Sequence, residues 1–224
     1  MNKTAIVTGA SHGIGRRLAE RLASENWNVY GIGRTFDAEV PFQKVELNLL
    51  DTKALCAWLD TCRADVDLLV NNAGCAYYGM HEELSLSQIQ EMIRLDLEVP
   101  MFLSGKLLRG LRRTKGMILN LSSACALYPA PHGAVYAAAK AGLLSFSDSL
   151  FAENRKFGVR VCTVLPDLTH TDLYRHADFT PDSGSLSAAA VADCIMQVIH
   201  APVGTVMKTL EIQPQISKIS RKKR

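Results

Sequence analysis

Tyr136 and Lys140 lie four residues apart in an alanine-rich segment of the chain, Tyr136-Ala-Ala-Ala-Lys140. On an α-helix this spacing places the phenol and the ammonium group on one face. A nearby cation stabilises a phenolate and lowers the pKa of tyrosine from its reference value of about 10. Such a tyrosine can donate a proton to a carbonyl oxygen or remove one from an alcohol. Taken alone, the pair is more typical of an ordinary helix surface.

Ser123 precedes Tyr136 by thirteen residues and follows the apolar run Gly116–Leu121. If that run is a strand of a parallel sheet, Ser123 lies at its carboxyl edge, where ligands bind in such sheets. Its hydroxyl group could then hold a substrate oxygen beside Tyr136. Taken alone, Ser123 is a loop serine.

Three glycines, Gly9, Gly13 and Gly15, follow the apolar run Ala5-Ile6-Val7 in the sequence TGASHGIG. Glycine adopts positive φ and lets a phosphate group approach the backbone. The amino end of the next helix offers free N–H groups and a positive dipole to a pyrophosphate. An ordinary turn has similar glycines, but the position between a first strand and an amphipathic helix favours a dinucleotide site.

The second predicted strand ends in Gly31-Ile32-Gly33-Arg34, without the acidic residue that would bind the ribose hydroxyls of NAD. A guanidinium group suits a 2′-phosphate through charge-assisted hydrogen bonds. Arg34 therefore favours NADP over NAD. The alternative is a solvated loop arginine.

Apolar runs without alternation recur along the chain and are typical of strands buried on both faces of a parallel sheet. They alternate with helical patterns, which predicts a Rossmann-like, doubly wound α/β fold with a sheet of about seven strands between two helical layers. The predicted strands are Thr4–Thr8, Asn28–Gly33, Gln43–Leu47, Asp67–Asn71, Gly116–Leu121, Val159–Leu165 and Lys208–Gln213.

Helix boundaries are marked by capping residues and by proline. Asp51 and Ser85 are predicted amino-terminal caps, and Pro100 is expected to start or kink a helix. A long alanine-rich helix is predicted from Val135 to about Lys156, and a last helix from Ser187 to His200. No linker interrupts this pattern, so residues 1–217 are expected to form one domain, followed by a tail of residues 218–224.

The formal net charge of the 224 residues is +3, and five positive charges lie in residues 218–224. Residues 1–217 carry 20 basic and 22 acidic side chains. A nucleic-acid-binding protein is expected to have a basic face on its folded body. We therefore expect no nucleic-acid partner and interpret the tail as a solvated end.

Six scattered cysteines form no CxxC pair, so we expect no metal site and interpret them as reduced residues. No apolar stretch approaches the roughly 20 residues that span a bilayer, and no signal peptide precedes the first strand. The sequence therefore predicts a cytoplasmic, soluble protein without a membrane partner.

Together, these motifs resemble the short-chain dehydrogenase/reductase family. The matching pieces occur in the family's order: Thr8-Gly9-x3-Gly13-x-Gly15, Asn71-Asn72-Ala73-Gly74, Ser123 and Tyr136-x3-Lys140. The motifs extend from Lys3 to about Leu173, and the strand–helix order extends to Gln213. Each piece is weak alone, whereas the ordered combination is specific.

The resemblance implies an oxidoreductase that interconverts a carbonyl and a secondary alcohol. It implies that Tyr136 is the general acid/base, that Lys140 lowers its pKa and holds the nicotinamide ribose, and that Ser123 orients the substrate carbonyl. Thr171 matches the threonine that contacts the nicotinamide carboxamide. The expected cofactor-binding residues are Gly9, Ser11, His12, Gly13, Ile14, Gly15, Arg34, Asn48, Leu49, Asn72, Ala73, Gly74, Tyr136, Lys140, Pro166 and Thr171.

Three positions depart from the family pattern. Asp96 stands where an asparagine usually takes part in a proton relay with the lysine, and an ionised Asp96 would offset part of the effect of Lys140. This predicts a slower enzyme or a higher pH optimum, unless the backbone performs the relay. Asp167 replaces the glycine of a Pro-Gly pair, and Asn48 replaces an aspartate near the adenine.

The substrate pocket is expected between Cys75–Tyr77, Cys125–His132 and Leu168–Asp182, with Tyr128, His132 and His170 as polar groups. Without an arginine cluster, we expect a neutral carbonyl or alcohol as substrate. The resemblance also implies a homodimer or homotetramer formed through helices at Met101–Leu111 and Val135–Phe157. The main alternative is a weak or inactive NADP-binding sensor or scaffold on the same fold. An epimerase or dehydratase would need a different glycine spacing and a larger carboxyl-terminal region.

Overall fold

The computed structural model describes residues 2–62, 65–216 and 219–221. Its strands are β1 (Thr4–Thr8), β2 (Asn28–Gly33), β3 (Gln43–Glu46), β4 (Leu68–Asn71), β5 (Met117–Leu121), β6 (Arg160–Pro166), β7 (Thr169–His170), β8 (Phe179–Pro181), β9 (Leu186–Ser187), β10 (Thr209–Ile212) and β11 (Ile219–Arg221). Seven of them form one sheet in the order β10-β6-β5-β4-β1-β2-β3, and all neighbouring pairs are parallel. The predicted doubly wound sheet is thereby confirmed.

The helices are α1 (Gly13–Ser24), α2 (Thr52–Thr61), α3 (Leu86–Ile93), α4 (Val99–Thr114), α5 (Ala134–Asn154) and α6 (Ala188–Ile199). A π-helical segment, Arg94–Glu98, joins α3 to α4. Pro100 lies in the first turn of α4, where its missing N–H group costs no helical hydrogen bond.

Helices cover both faces of the sheet, which gives the three-layer architecture. In β1, Ala5 and Val7 pack into a core shared with α1 and α6, whereas Ile6 packs into the core under α2, α4 and α5. Successive strand side chains point to opposite faces, so a strand covered on both faces must be apolar throughout. This is why the strands read as continuous apolar runs.

The predicted caps explain where several helices begin. The Asp51 side chain accepts a hydrogen bond from the backbone of Ala54 at the start of α2. At α3, Ser85 and Gln88 form a reciprocal capping box. Ser187, which was predicted only as the first residue of the last helix, caps α6, because its hydroxyl group accepts a hydrogen bond from the backbone N–H of Ala190. These local signals place the helix starts as predicted.

Two small sheets lie outside the main one and were not predicted. β7 pairs with β9 in parallel, and β8 pairs with β11 in antiparallel orientation. The sequence predicts a solvated end after residue 217. The structure instead pairs the backbone of Ile219–Arg221 with that of Phe179–Pro181. The remaining tail residues, 218 and 222–224, lie outside the described residues.

Within the described ranges, no helix is both long enough and apolar enough to cross a bilayer.

Candidate active site

The carboxyl ends of β1, β2, β4, β5 and β6 border one cleft. All but one of the predicted site residues line it. They are Gly9, Ser11, His12, Gly13, Ile14, Arg34, Asn48, Leu49, Asn72, Ala73, Gly74, Asp96, Ser123, Tyr136, Lys140, Pro166 and Thr171.

Gly15 is the exception, because it is buried and does not line the cleft. A Cβ atom there would collide with the Asn72 amide and the backbone of Gly9. The third glycine therefore allows α1 to pack closely against the loop, a role different from the predicted contact with a cofactor.

The loop between β1 and α1 needs glycine at two positions. Gly9 has φ +67°, and a Cβ atom on it would lie 2.9 Å from the Cα atom of Ala73. Gly13 has φ +60° and begins α1. His12, at the N-cap, makes no side-chain hydrogen bond to the helix. The amino end of α1 thus presents backbone N–H groups to the cleft, as an anion site requires.

Thr8 and Asn72 fasten this loop to the segment after β4. The Thr8 hydroxyl group accepts hydrogen bonds from the backbone N–H groups of Asn72 and Ala73, each at 3.0 Å. The Asn72 amide donates to the carbonyl oxygens of Thr8 and Gly9, at 2.8 and 3.1 Å. No role is predicted for Thr8 from the sequence, although its position beside the first glycine is a signal that could indicate one.

Tyr136 and Lys140 lie in the first two turns of α5, on the face that packs against the cleft. Both are buried, and Lys140 is 4% exposed. The Lys140 Nζ atom is 5.5 Å from the centroid of the Tyr136 ring and donates a hydrogen bond to the carbonyl oxygen of Leu121 at 2.9 Å. The predicted pairing of a phenol and an ammonium group is confirmed as a spatial arrangement.

Asp96 lies in the π-helical segment and is 0% exposed. Its Oδ1 atom is 2.9 Å from the Nζ atom of Lys140, and its Oδ2 atom accepts a hydrogen bond from the backbone N–H of Cys75 at 3.0 Å. A Cβ atom on Gly74 would lie 2.5 Å from Oδ1, so glycine there leaves room for the carboxylate. The predicted proximity of Asp96 to Lys140 is confirmed. π-Helical turns are frequent at functional sites.

The pKa of Tyr136 is raised well above its ordinary value, first by burial and then by neighbouring groups that include Tyr78 and Asp96. Burial also raises the pKa of Asp96, against the lowering effect of Lys140. The sequence predicts that Lys140 lowers the pKa of Tyr136. In the structure, burial dominates, and the ammonium group is shared with a carboxylate.

Ser123 follows β5 and caps the short turn Ala124–Ala126, with its hydroxyl group accepting a hydrogen bond from the backbone of Cys125 at 3.4 Å. It lines the same cleft as Tyr136. The arrangement places a hydroxyl group, a phenol and an ammonium group around one volume, where they can bind and protonate a carbonyl oxygen.

Tyr136 and Tyr174 line the cleft, and the rings of Tyr78 and Phe179 pack behind them; these four residues form an aromatic wall. The ring of Tyr78 lies 6.2 Å from Tyr136, 6.0 Å from Tyr174 and 5.2 Å from Phe179, measured between centroids. Burial raises the pKa of Tyr174 to about 12, so its hydroxyl group stays protonated at neutral pH. The contacts join residues distant in sequence, and no motif indicates them.

The prediction that Tyr128, His132 and His170 are the polar groups of the substrate pocket is wrong. Among the described residues that line the cleft, Tyr128, His132 and His170 do not occur. The segment after β7 instead brings Arg175 and His176 to the cleft. Loop conformation decides which side chains face the cleft, and the sequence does not specify that conformation.

Residues 3–180 match the family described as short chain dehydrogenase. The serine 3-dehydrogenase of Agrobacterium fabrum is 32% identical over 236 aligned positions, which cover 96% of this chain and 94% of the relative. The chain belongs to the short-chain dehydrogenase family. It is therefore an oxidoreductase that acts on CH–OH and C=O groups.

Two solved structures share the fold of this short-chain dehydrogenase. An alcohol dehydrogenase from the archaeon Thermococcus sibiricus, complexed with 5-hydroxy-NADP, superposes with a TM-score of 0.86 at 23% identity, covering 96% of this chain and 97% of that one. A 4-hydroxyisoleucine dehydrogenase complexed with NADH gives a TM-score of 0.83 at 22% identity, with 95% and 97% coverage.

Asn48 and Asp167, two of the residues that depart from the pattern of the short-chain dehydrogenases, form hydrogen bonds with the backbone. The Asn48 side chain accepts a hydrogen bond from the backbone of Leu50 at 3.1 Å. The backbone N–H of Asp167 donates to Ile212 in β10, while the residue itself lines the cleft. Asp96 is the departure that touches the predicted catalytic groups.

Proposed function

We propose that this enzyme uses NADP(H) to interconvert a carbonyl and a secondary alcohol, with Tyr136 as general acid/base. The observation that carries the proposal is the buried arrangement of Tyr136, Lys140 and Asp96 beside a glycine loop that fits a dinucleotide. When bound, NADPH supplies a hydride to the carbonyl carbon. The protein's own residues bind the reactants and move the proton.

The proposed binding site for the pyrophosphate of the dinucleotide is formed by backbone N–H groups. Side chains on Gly9 or Gly13 would be strained by the positive φ, and the start of α1 faces the same space. Asn72 and Thr8 fix the loop in this conformation. This geometry suits a pyrophosphate, which accepts hydrogen bonds from free N–H groups at a helix terminus.

The preference for NADP rests on Arg34. Arg34 follows β2 and lines the cleft together with Ser11 and Gly33. The space between these two neighbours is narrow, because a Cβ atom on Gly33 would lie 3.0 Å from the Cβ atom of Ser11. A guanidinium group there can bind a 2′-phosphate. The Thermococcus alcohol dehydrogenase, whose structure contains 5-hydroxy-NADP, supports NADP as the cofactor. The 4-hydroxyisoleucine dehydrogenase, whose structure contains NADH, is the example that supports NAD instead.

Tyr136 would donate its proton to the carbonyl oxygen during reduction and remove a proton from the alcohol during oxidation. Ser123 would orient that oxygen through its hydroxyl group. Lys140 would hold the nicotinamide ribose and favour the phenolate, while Asp96 opposes the phenolate and holds Lys140 in place. Asn48, Leu49, Ala73, Gly74, Pro166 and Thr171 would complete the cofactor site.

A sensor or scaffold that binds NADP without efficient catalysis is the second candidate. The Asp96–Lys140 ion pair and the raised pKa of Tyr136 favour it, because both make the phenolate harder to form. The buried Tyr136 and the cleft-facing Ser123 favour an enzyme, because a sensor requires neither.

The test is a cofactor titration followed by a carbonyl panel. NADPH and NADH binding are measured by fluorescence with the wild type and Arg34→Gln, and Lys53→Gln serves as an exposed charge control. We expect NADPH to bind at least about tenfold more tightly than NADH, and Arg34→Gln to remove most of that difference. Oxidation of NADPH with a carbonyl then identifies an enzyme. Tight binding without turnover of any carbonyl identifies the sensor, and a clear preference for NADH overturns the cofactor assignment.

A further inference from the structure

Four side chains form a continuous row beside the cleft, and three of them, Glu91, Arg175 and His176, line it. The Tyr77 hydroxyl group donates a hydrogen bond to Oε2 of Glu91 at 2.7 Å. The Tyr77 and His176 rings stack with centroids 5.1 Å apart. The Nε atom of Arg175 donates to Nε2 of His176 at 2.9 Å. The row therefore has a carboxylate at one end, on α3, and a guanidinium group at the other, in the segment after β7.

Both charged ends remain available to a ligand. Across the described ranges, the ion pairs within 4.0 Å involve other residues, so neither Glu91 nor Arg175 has an opposite charge at that distance. Glu91 uses only Oε2 for Tyr77, and Arg175 uses only Nε for His176. The second carboxylate oxygen and both terminal guanidinium nitrogens are left over. Both residues line the cleft that contains Ser123 and Tyr136.

The other charged side chains that line the cleft near this row either have partners of their own or compete with Glu91 for a ligand. Lys140 is paired with Asp96, and Asp172 faces the ring of His12 at 3.9 Å. Nε2 of His176 accepts a hydrogen bond from Arg175, an assignment that leaves that nitrogen unprotonated. Asp167 also lines the cleft and is the rival carboxylate to Glu91.

We propose that the substrate is a small hydroxy amino acid, whose carboxylate binds Arg175 and whose ammonium group binds Glu91. This inference rests on the proposed function of the same site and replaces the neutral substrate predicted from the sequence. In the oxidation, the alcohol would lose its hydroxyl proton to the phenolate form of Tyr136 and the hydride of its C–H bond to NADP⁺, which leaves the carbonyl group.

A substrate with both charges fits the row better than one with a single charge. A substrate with only a carboxylate is attracted by Arg175 and repelled by Glu91. A substrate with only an ammonium group is attracted by Glu91 and repelled by Arg175. Hydrogen bonds in which a partner is ionised are the stronger class, and the guanidinium fork can bind a carboxylate through two parallel bonds. A zwitterion offers each of the two residues an opposite charge.

The experiment compares four secondary alcohols of similar size as substrates for oxidation by NADP⁺. Threonine carries both charges, 3-hydroxybutanoate the carboxylate, 1-amino-2-propanol the ammonium group, and 2-butanol neither. Saturation-transfer NMR measures binding of each compound independently of turnover. We expect threonine to exceed the other three in kcat/KM and in NMR signal, by about tenfold per missing charge.

Substitutions assign each charge to a residue. Arg175→Gln should lower kcat/KM for threonine and 3-hydroxybutanoate about tenfold and raise it for 1-amino-2-propanol, because the repulsion of the ammonium group is removed. Glu91→Gln should lower kcat/KM for threonine and 1-amino-2-propanol and raise it for 3-hydroxybutanoate, because the repulsion of the carboxylate is removed. Lys53→Gln and Glu46→Gln remove exposed charges outside the cleft and should change none of the four.

Each other outcome overturns the inference. If Asp167→Asn, and not Glu91→Gln, removes the preference for the ammonium group, the assignment to Glu91 is wrong. If both variants affect all four alcohols equally, the row only ties the segment after β7 to α3. If NADPH binds and 2,3-butanedione is reduced while 2-butanol is preferred over threonine, the substrate class is wrong and the proposed function stands. If NADPH does not bind, both fail.

Discussion

Asp96 introduces a negative charge next to the two residues predicted to perform the proton transfer. Its carboxylate is fully buried and contacts the ammonium group of Lys140 at 2.9 Å. It also contributes to the raised pKa of Tyr136. An asparagine in this place would keep an acceptor for the backbone N–H of Cys75 and remove the charge.

Asp96→Asn should therefore lower the pKa of Tyr136. Oxidation of an alcohol needs the phenolate as base, so its rate rises with pH up to the pKa of the phenol. Lowering that pKa moves the rising limb to lower pH, and the rate near pH 7 increases by about tenfold for each unit of the shift. The pH–rate profiles of the wild type and Asp96→Asn provide the measurement. Asp60→Asn, at an exposed position of α2, is the matched control, and superimposed profiles of the wild type and Asp96→Asn would refute the role of Asp96.

Among the elements of the fold, the loop between β1 and α1 is the one whose backbone conformation we expect to determine NADPH binding. Gly9 has positive φ and lies against the backbone of the segment after β4. At Gly105, in the middle of α4, no described atom apart from the neighbouring residues and the backbone of the helix itself lies within 4 Å of the position of a Cβ atom. The two glycines differ in surroundings and not in residue type, which makes them a matched pair.

Gly9→Ala should destabilise the protein by about 2 kcal/mol or more and weaken NADPH binding, since alanine is strained at this φ and meets the backbone of Ala73. Gly105→Ala should be neutral or stabilising by up to about 1 kcal/mol, because alanine favours a helix. Thermal unfolding and fluorescence titration measure both effects. Equal changes in the two variants would show that the loop does not require glycine.

The carboxyl-terminal strand is connected to the active site through the aromatic wall. β11 pairs with β8, which contains Phe179, and the ring of Phe179 packs on Tyr78 beside Tyr136. This chain of contacts indicates that the last residues help to hold the wall of the cleft.

Deleting residues 217–224 should loosen β8. Without the partner strand, its backbone amides lose hydrogen bonds, and their exchange with deuterium should be at least about tenfold faster, as measured by mass spectrometry of peptides covering Phe179–Pro181. Peptides from β1 should be unchanged. Ser220→Pro should have a similar but smaller effect than the deletion, and Ser220→Ala none. Identical exchange in the full-length and shortened chains would show that the pairing has no influence on the wall.

The sequence predicts the large elements well because their signals are local. Apolar runs locate the strands of the main sheet, and Asp51, Ser85 and Ser187 locate helix starts. The small strands β7–β9 and β11 have two or three residues each, too few for a periodic pattern, and their partners are distant in sequence. Likewise, the motif predicts that Asp96 lies near Lys140, whereas the row from Glu91 to Arg175 depends on the path of a loop.

At the scale of the whole molecule, we infer that residues 1–217 form one catalytic domain whose helices α4 and α5 mediate self-association. Met101 on α4 is 39% exposed, whereas Leu143 and Leu150 on α5 are buried in the protein's own core. Only part of the predicted apolar surface of α5 therefore remains for a second copy. Leu144 and Phe146 are half-buried and remain partly accessible.

A homodimer or homotetramer is expected in solution, with a mass of two or four times 24.5 kDa. Met101→Asp should shift the distribution toward monomer, because a carboxylate in an apolar interface is unfavourable. Met80→Asp changes a methionine that is 49% exposed and outside both helices, and it should leave the mass unchanged. Light scattering after gel filtration measures the mass, and a monomeric wild type would contradict the expectation.

The proposed role of Tyr136 is tested by comparing Tyr136→Phe with the wild type in two measurements on the same samples, NADPH affinity by fluorescence and the rate of carbonyl reduction. The substitution removes only the hydroxyl group from a buried ring. We predict an unchanged affinity for NADPH and a rate reduced by about 10² to 10⁴, the usual contribution of general acid catalysis. A variant that keeps the wild-type rate would contradict the assignment of Tyr136 as the group that transfers the proton.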